Sequence, residues 1–286
     1  MPLTLMYITN DTEIALIAER CGVDRIWVDL ETLGKEERQK NIDCVKSKHT
    51  VGDVHRISKV LTQAELMVRI NPWNSKSEEE IENVIAAGAQ RIMLPMWKSC
   101  AEAKCFLGAV NRRVHTTLLL ETKEAVACID EVLKDPLIDE IHIGLNDLHL
   151  SYGLTFMFEL LSNGTVEALC QKFKEANIPF GFGGIAKIGE GMLPAEKIVM
   201  EHYRLGSTRT ILSRSFCNAD KAESIHSFDK IFCANMSELR ELEKSILSLP
   251  NEEYLSNQEQ LAICVKKIVR SIEEKKSHVL CNTKNF

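Results

Sequence analysis

The chain has no surplus of positive charge: 35 Lys and Arg stand against 41 Asp and Glu, a net charge of −6 at pH 7. Nucleic-acid backbones and anionic bilayers are held by a basic field, so neither is an expected partner. No apolar run approaches the length that spans a bilayer. No charged-then-apolar leader opens the sequence, and the ten cysteines include no CxxC pair, so neither a disulfide framework nor a thiolate metal site is expected. Cys21, Cys128 and Cys170 fall on helix faces, where thiols pack as small apolar groups. This pattern predicts a reducing, cytoplasmic setting.

What is present is enough apolar material for a large core: 45% hydrophobic residues over 286 positions, within reach of one α/β barrel. Short apolar runs recur and alternate with amphipathic helices. They read LTLMYIT, RIWVDLE, ELMVRINP, RIMLP, TTLLL, EIHIG, IPFGFGG and LGSTRTILS. Eight such strands joined through helices predict a (β/α)8 TIM barrel over residues 1–216. The spacing predicts one helix over TKEAVACIDEVLKD, another over GKEERQKNIDCVKSK and a long one from about Phe156 to Ala176. Residues 217–275 keep helical periodicity without a further strand and read as an appended helical region, with a flexible tail over 276–286. Apolar helix faces without a core of their own need a surface to cover. A second subunit meets that need, which predicts a homo-oligomer built through the C-terminal helices.

In such a barrel the side chains at the C-terminal strand ends make the active site. Asp29, Glu31, Arg69, Asn71, Glu121 and Asp147 all fall there. Glu121 and Asp147 each follow a short strand, and two oxygen donors in one concave mouth suit a hard divalent cation, Mg²⁺ or Mn²⁺. The plain alternative is that acids after strands cap the next helix. His149, two residues past Asp147, is the candidate base; its alternative is a polar loop residue. GFGGIA matches a loose dinucleotide fingerprint, but it follows a seventh strand rather than the first of a doubly wound sheet, so it reads as a barrel loop. Gly183, Gly184, Ser207 and Arg209 are candidates to hold a phosphate by analogy with other barrels, with ordinary loop geometry as the alternative. Lys35 and Arg38 are candidates to meet an anionic substrate tail, or solvated helix residues.

The ordered motifs VDLET, VRINP, IMLPM, LLLETKEAV, IGLNDLHLSYG and GGIAKIGEG resemble the HpcH/HpaI aldolase and citrate lyase β-subunit family, over roughly residues 10–216. The resemblance implies a divalent metal and the cleavage or formation of a carbon–carbon bond beside a pyruvate-like or acetyl group, with a small carboxylate or 2-oxo acid as substrate. It implies Glu121 and Asp147 as metal ligands and Arg69 as the grip on a carboxylate or developing enolate. Asp29 and Glu31 match the acids that organise water around the metal, and backbone N–H groups at Gly144 and Leu145 are candidates to seat the substrate carboxylate. Two positions depart from the family pattern. Thr32 stands where its aldolases carry a His base, and Leu119 stands where they carry Gln. The change favours a lyase-like member. A phosphoenolpyruvate-type reaction at the same metal, or a non-catalytic ligand-binding subunit that has lost its base, are the alternatives.

Overall fold

Strand β2 (Arg25–Asp29) is buried at all five positions, as a strand must be when helices cover one face and a closed bore the other. In the computed structural model, which describes residues 1–34, 49–219 and 222–283, it is one of eight parallel strands that close on themselves in sequence order. The others are β1 (Thr4–Ile8), β3 (Glu65–Arg69), β4 (Arg91–Leu94), β5 (His115–Leu120), β6 (Ile141–Ile143), β7 (Phe180–Ile185) and β8 (Arg209–Leu212). The helices around them are α1 (Thr12–Arg20), α2 (Val51–Ser58), α3 (Ser77–Ala86), α4 (Cys100–Val110), α5 (Lys123–Ala127), α6 (Ile129–Val132), α7 (Leu145–Ser151), α8 (Glu159–Ser162), α9 (Thr165–Glu175), α10 (Ala195–Leu205), α11 (Ile225–Leu247) and α12 (Asn251–Thr283). The (β/α)8 barrel with C-terminal helices is the architecture the sequence predicts.

Three local expectations change. The run TKEAVACIDEVLKD is two short helices, parted where Cys128 leaves helical geometry at φ −110°, ψ 11°. The stretch from Phe156 to Ala176 breaks between α8 and α9, where Gly164 takes a left-handed conformation at φ +83° that a side chain resists. The expected tail begins inside α12, which runs on to Thr283. The helix expected over GKEERQKNIDCVKSK, with Lys35 and Arg38, lies outside the described residues.

Successive strand residues point alternately to the helices and into the bore, and the inward residues form three layers. The middle layer is apolar: Met6, Trp27, Met67, Met93 and Leu119, with Ile8 and Ile211 against them. Two residues earlier, at the N-terminal strand ends, sits a charged layer that the sequence reading did not anticipate. Arg25 lies 2.6 Å from Glu65 and 2.8 Å from Glu140, Arg91 lies 3.0 Å from Glu65, and Arg209 lies 2.8 Å from Glu140. Two residues later along the same strands come Asp29, Arg69 and Glu121. The bore is therefore a packed core with ionic layers at both ends.

The C-terminal helices find the surface they need within the chain. α11 packs on α1 and α10, and α12 on α8 and α10. Phe228, Phe232, Met236, Leu239, Ile246, Leu261 and Val265 join the same apolar core as the barrel helices. At the α12 seam, Asn257 donates to the Lys197 carbonyl at 3.0 Å and Gln258 to Glu167 at 3.1 Å. The barrel covers one apolar face of each helix, while Ile231, Leu247, Leu255 and Ile263 stay exposed on the other side.

Candidate active site

The parallel register places Leu120 opposite Ile143, so the residues that follow them open onto one rim. Glu121 comes directly after β5. Asp147 is not at a strand end: it stands in the first turn of α7, four residues past Ile143. Its charge is nonetheless among the principal influences on the Glu121 carboxyl. From β2 and β3 the rim receives Asp29, Glu31 and Arg69. Arg69 donates through Nε and Nη2 to the two oxygens of Asp29, both at 2.8 Å, and Nη2 lies 3.3 Å from Glu31. Its guanidinium carbon stands 4.9 Å from the centre of the Trp27 ring, a cation–π contact that fixes the plane from below.

Glu121 is buried, and burial pushes its carboxyl well above the usual carboxylate range. Asp147 and Glu31 push the same way, while Arg69 and the Met96 N–H oppose. That N–H donates to Glu121 Oε1 at 2.9 Å from a residue held at φ +53°, a conformation costly without glycine. On the other side, a Cβ on Gly144 would come within 2.8 Å of Glu121 Oε2. The carboxylate lies in a slot between the Met96 backbone and the bare Gly144.

Oxygen donors of this kind are those a hard cation takes, although among the described residues no three of these acids bring ligand atoms within 4.8 Å of one another. Asp29, Glu31, Glu121 and Asp147 bring four carboxylates to the rim, and Arg69, shared between Asp29 and Glu31, offsets part of their charge. A neighbouring acid that raises the proton affinity of Glu121 favours a divalent ion in the proton's place for the same electrostatic reason. A cavity of about 730 Å³ opens at the other end of the barrel, beside Glu65 and His115, and holds none of these residues.

Other predicted site residues fall elsewhere. Gly144 spends its N–H on the Leu120 carbonyl at 3.0 Å, so it cannot seat a substrate carboxylate; its use is the space it leaves for Glu121. Leu145, whose N–H opens the first turn of α7, turns its side chain towards Gly183, where a Cβ would lie 2.7 Å from Leu145 Cδ1; its candidacy rests on that N–H and is untouched by this packing. His149 lies two residues past Asp147 in α7, about 200° around the helix, is buried, and has Nδ1 3.2 Å from the Leu145 carbonyl. The candidate base is therefore on the opposite side of α7 from Asp147. Ser207 and Arg209 sit at the start of β8, the opposite end from Gly183 and Gly184, so these four do not form one phosphate site. Asn71 is a clamp: its Oδ1 accepts from the Thr32 and Leu33 N–H groups at 2.9 and 3.0 Å, and its Nδ2 donates to Glu80 at 2.9 Å.

Two contributors escaped the sequence reading. Met96 acts through its backbone, and no residue pattern announces a left-handed N–H donor. His49 accepts the Asp29 N–H at Nδ1, 3.0 Å away, which places the proton of the neutral ring on Nε2. It lies outside every motif, and only the tertiary structure brings it beside β2.

The family model for HpcH/HpaI aldolase/citrate lyase matches residues 4–159. The structure is similar to that of an HpcH/HpaI aldolase/citrate lyase family protein from Burkholderia cenocepacia, with a TM-score of 0.59 and 15% identity over 84% of this chain and 94% of that one. It is also similar to an HpcH/HpaI aldolase from Desulfitobacterium hafniense, with a TM-score of 0.58 and 14% identity over 87% and 94% of the two chains. A citrate lyase from Burkholderia xenovorans aligns with a TM-score of 0.57 and 13% identity over 81% and 77%. No curated protein matches the chain. At these identities the structural likeness establishes the fold.

Proposed function

We propose, from the premise that this chain belongs to the HpcH/HpaI aldolase/citrate lyase family, that its lyase chemistry makes or breaks a carbon–carbon bond beside the carboxylate of a small 2-oxo acid or related carboxylate, with Mg²⁺ or Mn²⁺ held by Glu121 and Asp147. The observation that carries this reading is the buried Glu121 carboxyl, loaded with like charge from Asp147 and Glu31 at the C-terminal rim of the barrel. A divalent cation there supplies positive charge beside the oxygen that becomes negative as the bond breaks.

The chain's own residues do the rest. The Met96 N–H holds one oxygen of Glu121 and fixes where the other stands. Asp29 uses one edge of the Arg69 guanidinium, so the fork is oriented before substrate arrives and its remaining N–H groups meet a carboxylate without further ordering. Asp29 and Glu31, both buried, order the water beside it. Thr32, where the family's aldolases carry a base, gives its N–H and hydroxyl to Asn71. With His149 turned away as well, the site suits a reaction that leans on charge stabilisation more than on a strong base.

That same observation favours a second reading, a ligand-binding barrel that has lost its base. Thermal melts with Mg²⁺ and oxalate, an enolate mimic, test for a working site: a ligand that binds the folded state alone at about 100 times its Kd adds about 2.7 kcal/mol. A melting temperature unmoved at saturating ligand would refute the metal reading. Release of pyruvate from a panel of hydroxy-oxo acids and acyl thioesters separates lyase from binding subunit.

A further inference from the structure

Cys21 and Cys233 are joined by a disulfide across 212 residues, with their Cα atoms 5.1 Å apart. Cys21 is the residue that ends α1, and Cys233 lies mid-way along α11, one turn after Asp229. The Cys233 sulfur is 3.7 Å from the Asp229 carboxylate, which also pairs with Arg20 at 2.5 Å. Both cysteines are only half-buried, so a small thiol reaches them in the folded protein.

The helix is docked without this bond. Tyr7, Phe216, Phe228 and Phe232 interlock, with ring centroids 5.0 to 6.5 Å apart. Glu243 accepts the Leu3 N–H at 2.7 Å, and Arg240 donates to the Leu3 carbonyl at 2.8 Å. α11 also holds the loop that leaves β8 at the active-site rim. Asn235 donates to the Phe216 carbonyl at 2.7 Å, and Phe232 packs edge-on against the Phe216 ring. A covalent bond placed on a seam that already stands by itself changes how often the seam opens, not whether the chain folds.

We propose that Cys21 and Cys233 form a reversible redox staple, made and opened by exchange with a small disulfide such as oxidised glutathione, and that its state sets how readily α11 and the β8 loop it holds lift from the barrel. One protein thiolate attacks a sulfur of oxidised glutathione, breaking its S–S bond and expelling a glutathione thiolate. The second protein thiolate attacks the mixed disulfide and expels the other. The two protein thiols are oxidised, one glutathione disulfide is reduced to two thiols, and the two S–H protons pass to the glutathiones released. The sequence pattern, which predicts a reducing compartment, carries no sign of this pair because its members meet only through the docking of α11 on α1.

The test is hydrogen exchange on the full chain equilibrated with oxidised or reduced glutathione, with non-reducing peptide mass mapping of the same samples. Oxidation should yield a linked Cys21–Cys233 peptide and slow exchange over residues 225–247 and 213–218 by at least about tenfold. Cys233→Ser, or Cys21→Ser should that variant fail to fold, should exchange at the reduced rate in both buffers. Three results overturn the proposal: no linked peptide under oxidising conditions, a bond that dithiothreitol opens only after denaturation, or equal exchange in the two redox states.

Discussion

At the residue scale, the site turns on the slot around Glu121. A neutral amide at this position still accepts the Met96 N–H and no longer meets like charge from Asp147 and Glu31. Glu121→Gln should therefore melt no lower than the wild type in metal-free buffer and lose the rise in melting temperature that Mn²⁺ gives the wild type. Gly144→Ala tests the opposite wall. Its Cβ would stand 2.8 Å from Glu121 Oε2 and 2.9 Å from Glu121 Cβ, and the close-packed rim cannot give way without moving the carboxylate. The expected cost is about 1–3 kcal/mol of stability, with Mn²⁺ affinity, read by electron paramagnetic resonance, reduced at least tenfold. A Gly144→Ala protein that binds Mn²⁺ like the wild type would show that Glu121 is not held by this slot.

At the scale of elements, the strands carry charge at both ends of the bore, and the two ends have different tasks. At the N-terminal ends, Glu140 faces Arg25 at 2.8 Å, Arg209 at 2.8 Å and Arg91 at 3.7 Å. Removing a buried partner strands the charges that remain, which typically costs 3–5 kcal/mol. Glu140→Ala should lose about that much in urea melts, while the response to Mg²⁺ with oxalate survives because the apolar layer of Met67, Met93 and Leu119 separates this layer from the rim. This layer is legible in principle: RxWxD and ExMxR set a charge at each end of the inward face of β2 and β3 with an apolar residue between, and RxM opens β4 with the same inward charge. Charges at strand starts have the same pattern as solvated ones, so residue order alone does not mark this layer as buried.

At the scale of the whole molecule, stability should depend on pH through two buried histidines. His142, inside the bore, and His202, stacked on Phe182 at 3.8 Å, are held by burial down to about 4 and about 3, from an ordinary 6.5. Between 6.5 and these values the unfolded chain binds protons that the folded chain refuses. The stability they allow is complete above pH 6.5 and is lost as the pH falls, with a slope of up to about 1.4 kcal/mol per pH unit for each histidine. His202→Phe should remove about one proton from the uptake on unfolding in this window, measured by urea melts from pH 4.5 to 7. An unchanged slope would mean that His202 is not held neutral.

The sequence by itself determined the barrel, because eight buried strands alternating with amphipathic helices have few other ways to cover both faces of a parallel sheet. It also determined which acids and which arginine reach the rim, since period-two alternation carries each strand's last inward residue there. Tertiary structure alone decided the rest. The turn of α7 sends Asp147 towards Glu121 and His149 away from it, and Asp29 takes the Nε–Nη2 edge of Arg69, orienting the fork. The bend after β4 turns the Met96 N–H onto Glu121, and the return of the C-terminal helices brings Cys233 to Cys21. Each of these joins residues through space and backbone direction, which residue order along the chain does not encode locally.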